Sequence, residues 1–167
     1  MAESAPAIRP LSLHDVEAVN ALARTVWQAT YPALISQAQI DAMLADRYAP
    51  ERMHVQLTDP RHAWRIAWDG GEPIGFAHAF VEASGCKLDK LYVHPDRQRG
   101  GIGAALLAAI EDWARTHGAS GLRLQVNRGN AQAIRAYEKY GFRIVESRVF
   151  DLGDGFVMDD HVMEKAL

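Results

Sequence analysis

The sequence predicts an α+β fold in which a central, mostly antiparallel sheet of about six or seven strands contains one parallel step. Three observations carry the prediction. Apolar residues in the first third recur at helical spacing, the pattern turns to alternating runs around Asp69-Gly70-Gly71, and a strand, helix, strand unit follows between Leu88 and Val126.

A short extended segment surrounds Ile8. Ser12 then opens a Ser-x-x-Asp box with Asp15, and Val16, Val19, Leu22, Ala23, Val26 and Trp27 share one helix face until Pro32 closes it. Ser36 and Gln39 form a second box, opening a helix with Ile40, Met43 and Leu44 inward, and a further turn after Pro50 ends at Asp59-Pro60. Trp64 to Trp68 and Ile74 to Val81 read as two antiparallel strands flanking the Gly70-Gly71 turn. Leu88 to Val93 is another strand, Gly103 to His117 a helix burying Leu106, Leu107, Ile110, Trp113 and Ala114, and Gly121 to Val126 a strand again. A single crossover helix makes these two strands parallel. A helix from Asn130 to about Lys139 precedes strands from Phe142 to Phe150 and Phe156 to Lys165.

No repeat, low-complexity tract or long linker divides the 167 residues, of which 49% are hydrophobic, so one domain over 1–167 is expected. The formal net charge of −3 supplies no global positive field for nucleic acid. Cys86, the only cysteine, rules out an intramolecular disulfide, and the seven histidines lack metal-ligand spacing, so no metal is expected. The N-terminal MAESAPAIRP has no basic stretch followed by an apolar one, and no apolar run approaches membrane-spanning length. These features predict a cytoplasmic protein that binds neither membrane nor nucleic acid.

The segment HPDRQRGGIGAAL places Gly100, Gly101 and Gly103 where a strand hands over to a helix, with Arg97 and Arg99 beside them. Glycine permits close approach to the main chain, and unpaired amides at a helix start favour an anion, so the pattern suits a pyrophosphate cradle. It also suits a plain sharp turn with two solvated arginines. A P-loop is excluded because no Lys-Ser or Lys-Thr follows, and a dinucleotide fingerprint because Leu106 fills a small-residue position and no acid lies in Gly121 to Gln125.

At these residues the chain resembles the GCN5-related N-acetyltransferases, whose acyl-CoA motif reads Q/R-x-x-G-x-G/A and is met by Gln98, Gly101 and Gly103. The segment NAQAIRAYEKYGF resembles the second motif of that family at Asn130, Ala133, Tyr137, Gly141 and Phe142. The resemblance implies that the amides of Arg99, Gly100, Gly101, Ile102, Gly103 and Ala104 hold the pyrophosphate of acetyl-CoA. It implies also that the backbone of Leu91, Tyr92 and Val93 pairs with the pantetheine, in a cleft made by the parallel step. Asn130 and Tyr137 lie seven apart, about 20° from alignment on a helix, so both side chains can face one ligand. Asn130 capping the helix and Tyr137 packing in the core is the alternative reading.

By family position Tyr137 gives a proton to the departing CoA thiolate, while a primary amine attacks the thioester directly and Cys86 is no nucleophile. The amine must first lose a proton, and Asp89, His78 and Glu82 border the expected cleft with none assigned as base. His78, between Phe76 and Phe80, reads rather as a packed, hydrogen-bonded histidine. Trp27 and Tyr31 lie where the family builds the acceptor pocket, although Trp27 suits the core equally. Trp27 to Pro32 and Asp160 to Met163 resemble the polyamine or diamine branch. Asp151, Asp154, Asp159 and Asp160, read as a turn between the last strands, offer a negative rim for a small cationic amine. An acyl-CoA sensor without transfer activity, a protein N-terminal or lysine acetyltransferase, and a homodimer stay open.

Overall fold

The computed structural model describes residues 6–167, so the first half of MAESAPAIRP, on which the reading of the N-terminus partly rests, lies outside it. Strand β1 (Ala7–Pro10) leads through a 3-10 turn into α1 (Val16–Thr30), where the Asp15 carboxylate accepts from the Ser12 amide at 2.8 Å and from Arg9. In the second box only half forms. The Ser36 hydroxyl accepts from the Gln39 amide at 3.1 Å to start α2 (Gln37–Arg47), but the Gln39 side chain turns away to the Val157 carbonyl at 2.7 Å. Gln39 is buried against the last hairpin, where that carbonyl needs a donor. Helix α3 (Pro50–Leu57) carries proline in its first turn, where no amide hydrogen is missed.

Strands β2 (His62–Asp69) and β3 (Glu72–Glu82) close on Gly70 and Gly71, both at positive φ, as a two-residue hairpin requires. Strand β4 (Gly85–Val93), α4 (Ile102–Thr116) and β5 (Gly121–Asn127) form the crossover, followed by α5 (Ala131–Lys139), β6 (Arg143–Gly153) and β7 (Phe156–Ala166). The seven strands make one sheet in the order β1-β2-β3-β4-β5-β7-β6, antiparallel except between β4 and β5. One correction concerns the last connection. Asp151, Asp159 and Asp160 lie in the β6–β7 ladder, and the turn is only Asp154-Gly155.

Helix α4 buries Leu106, Leu107, Ile110 and Ala114 on one sheet face against Leu88, Leu122, Leu124 and Met163. On the other face α1, α2 and α3 bury Val19, Ala23, Trp27, Ile40 and Met53 against Trp64, Ile66 and Phe76. No helix of the described residues is long and apolar enough to cross a membrane. Cys86 is buried in the first of these layers, and burial pushes its thiol up to about 11, so it stays an unreactive thiol.

Candidate active site

The parallel strands β4 and β5 pair only at Cys86 with Leu122 and Lys87 with Arg123, and then diverge. The cause lies next door. In the β3–β4 ladder Leu88 faces Ala79 and Lys90 faces His78, leaving Asp89 as the extra residue of a bulge, which bends and twists its strand. The divergence opens a cleft of about 1070 Å³ between the two halves of the sheet. The His94 amide donates to the Ile74 carbonyl at 2.8 Å, so by strand alternation Tyr92 bonds towards β3 while the Leu91 and Val93 amides face the cleft.

At one end of the cleft the chain enters α4 through Arg99 and Gly101, at φ +68° and +82°. None of the amides from Arg99 to Ala104 has an acceptor among the described residues, leaving a run of donors at a helix N-terminus. A Cβ on Gly103 would stand 2.9 Å from the Tyr140 hydroxyl, so the Tyr140 ring reaches over the start of α4 only because glycine is there. The Gln98 side chain donates to the Val93 carbonyl and accepts from Gln132, tying the loop to β4 and α5. Arg97 is drawn to Asp69. Gln98, Arg99, Gly101, Ile102 and Gly103 line the cleft, whereas Gly100 and Ala104 do not. These residues fit a pyrophosphate, and the free edge of β4 fits an amide-bearing pantetheine arm.

From the floor, Asn130, Ala133 and Tyr137 reach the cleft together. The Asn130 oxygen accepts from the Ala133 amide at 3.2 Å as the cap of α5, which leaves its second lone pair and its amide nitrogen for a ligand. Tyr137 packs edge-on against Phe142, and burial raises its phenol well above the usual value, so it is protonated at neutral pH.

The opposite end is lined by Tyr31, Met43, Arg47, Met158 and Asp160. The Tyr31 and Tyr92 hydroxyls meet at 2.9 Å. Trp27 is withdrawn from the acceptor wall: it is 1% exposed, donates to the Tyr48 hydroxyl at 3.1 Å, and packs with its ring tilted against Tyr31 at 4.5 Å because the wide apolar face of α1 draws it into the core.

Of the bordering acids and bases, Glu82 is drawn off by Arg123 at 2.8 Å. Burial favours a protonated Asp89, yet Lys90 at 2.6 Å and Arg47 outweigh it and hold the carboxyl well below its ordinary range. His78 is packed as its flanking phenylalanines suggest: its Nδ1 lies 3.2 Å from Lys90, its Nε2 2.9 Å from His62, and burial pushes it down to about 3. Asp160 stands apart. It is 2% exposed, its Oδ1 has no hydrogen-bond partner, and burial raises it to about 6. The sequence contained its signal, because Asp160 falls on the inward, alternate positions of β7 with Met158 and Val162, where an acid is out of place.

The Acetyltransferase (GNAT) family model matches residues 21–142. The chain is 28% identical over 156 residues to spermidine N(1)-acetyltransferase of Thermoplasma acidophilum, covering 91% of this chain and 94% of that one. It is 30% identical over 154 residues to an uncharacterised N-acetyltransferase of Mycobacterium tuberculosis, covering 92% and 98%. Among solved structures it is similar to the PaiA N-acetyltransferase of Thermoplasma acidophilum in complex with coenzyme A, with TM-score 0.85, 27% identity, and coverage of 98% of this chain and 100% of that one. A motif-bearing crossover, a splayed parallel pair and a match over most of the chain thus agree: the chain belongs to the GNAT family, the acetyl-CoA-dependent N-acetyltransferases.

Proposed function

We propose that the acceptor is a small primary amine of the polyamine or diamine type, and that Tyr137 and Asp160 manage the two proton transfers. The observation that carries this reading is the buried Asp160 carboxyl, with an unpartnered oxygen in the wall of a cleft whose other end fits acetyl-CoA. Acetyl-CoA supplies the acetyl group as an activated thioester. An alkyl ammonium entering the cleft meets in Asp160 an acid raised to about 6, able to bind the cation and take its proton near neutral pH. The Leu91 amide, facing the gap, is placed to polarise a carbonyl, and Tyr137 holds the proton for the departing sulfur. The nitrogen–carbon bond forms as the carbon–sulfur bond breaks, Tyr137 passes its proton to the sulfur, the nitrogen gives up its second proton to solvent as the amide forms, and solvent then reprotonates Tyr137 and takes the proton from Asp160. The similarity to a spermidine acetyltransferase supports the same acceptor class.

The test is thiol release from acetyl-CoA with spermidine, a monoamine of similar length and an N-terminal peptide. Spermidine is expected to show the highest kcat/KM, and Tyr137→Phe to lower kcat by roughly 10² while acetyl-CoA affinity changes only a few-fold. Preference for the peptide would redirect the reading to protein acceptors. Acetyl-CoA binding without transfer to any amine would make the protein a sensor.

A further inference from the structure

Past the pairs Cys86 with Leu122 and Lys87 with Arg123, β4 runs free of β5 to the Leu91 amide. Four residues of strand make a lever of about 13 Å, so a swing of roughly 5° about those pairs moves Leu91 by about 1 Å, a displacement that a reaction between positioned groups registers. Helix α4 steadies the two halves of the sheet from one face. On the other face the corner from Tyr31 to Arg47 crosses the cleft and grips each half twice. On the β4 half, the Tyr31 and Tyr92 hydroxyls meet at 2.9 Å, and Arg47 Nη2 donates to the Asp89 carbonyl at 2.8 Å while standing 3.3 Å from its carboxylate, so it holds the bulge itself. On the β5–β7 half, Leu34 lies so near Gly129, in the loop after β5, that a Cβ there would meet its Cδ2 at 2.9 Å, and Gln39 donates to the Val157 carbonyl at 2.7 Å. Of the 11 residues of α2 only Gln39, Ile40 and Met43 are buried, so apolar packing holds this helix weakly and its polar ends carry the tie.

We propose that α2 is a tie-bar across the splayed sheet, in which Gln39 and Arg47 are positioning residues that hold Asp160 of β7 at a fixed span from Leu91 of β4. The inference rests on the reading above that the amine is seated between these two groups. Gln39 acts through β7 and Arg47 through the bulge. They lie eight positions apart, about 12 Å along the helix, so any coupling between them passes through α2 and not through direct contact.

The test uses the full chain with Gln39→Met, which keeps the length but removes the donor, and Arg47→Lys, which keeps the charge on a side chain one atom shorter. Thiol release is followed with whichever of spermidine, the monoamine and the N-terminal peptide reacts fastest. Each single variant is expected to lower kcat about tenfold while the acetyl-CoA KM stays within about twofold. The double variant is expected to lose no more than about threefold beyond the worse single, because releasing either end frees the same helix, whereas separate local roles multiply to about a hundredfold. Hydrogen exchange needs no amine: the amides of Ile40 to Arg47 are expected to exchange at least about fivefold faster in each single variant, with those of Leu106 to Ala114 in α4 unchanged. An unchanged kcat in either single, a multiplicative loss in the double, a loss shared with acetyl-CoA, or unchanged exchange in α2 would each overturn the proposal. If none of the three amines reacts with wild type, the acceptor reading fails and the exchange of α2 alone decides the tie-bar.

Discussion

Asp160 gives the clearest lesson at the scale of the residue, because the same burial that readies it for an ammonium makes it costly to ionise in the fold. Its carboxyl rises from an ordinary 3.8 to about 6, with Asp159 adding to the rise and Arg47 and Lys87 acting against it. The folded state therefore binds more protons than the unfolded one between about pH 4 and pH 6, and stability falls as pH rises through that window. Asp160→Asn removes this dependence. In urea unfolding the variant is expected to gain on wild type from pH 4 to pH 6 and hold a constant advantage above, while the acidic limb of kcat/KM for spermidine disappears and the rate itself drops by roughly 10². A stability difference that does not change with pH would mean that Asp160 is not the titrating group.

Elements were the most legible part of the sequence, because periodicity, capping boxes and paired glycines act over a few neighbouring residues. Helix α1 was readable from its apolar face, the β2–β3 turn from Gly70-Gly71, and the parallel step from one helix between two strands. Both strands of the β6–β7 hairpin were readable, but the turn was drawn too long because an edge strand exposed on both faces has no hydrophobic alternation, so its acids resemble a loop. The approach of the Tyr140 hydroxyl to Gly103 was invisible, as it joins residues 37 positions apart in the chain. Gly103→Ala should push the Tyr140 ring aside, lower stability by about 1–3 kcal/mol and weaken acetyl-CoA binding. Adding Tyr140→Phe removes the offending oxygen and is expected to recover most of the stability, as thermal unfolding with and without acetyl-CoA will record.

Across the whole molecule, the sheet is two antiparallel halves held together by two residue pairs and by the layers above and below them. The sequence announced the glycine turn and Tyr137 by their motifs. It did not announce the bulge at Asp89, whose bend opens the cleft, because a bulge is decided by how two strands fit each other. That divergence leaves a record in the exchange of backbone hydrogens with solvent. Along β4 the amides of Lys90 and Tyr92 are bonded to β3 and should exchange only on large-scale opening, whereas those of Leu91 and Val93 look into open space and should exchange far faster. In heavy water, residue-resolved spectra of the free protein should therefore show slow and fast sites alternating from Lys90 to Val93, with Leu91 and Val93 slowing once coenzyme A is added. Uniform protection over these four residues would contradict the geometry. A strand lying fourth in a sheet of seven thus carries, on one of its sides only, the exchange signature of an outermost strand.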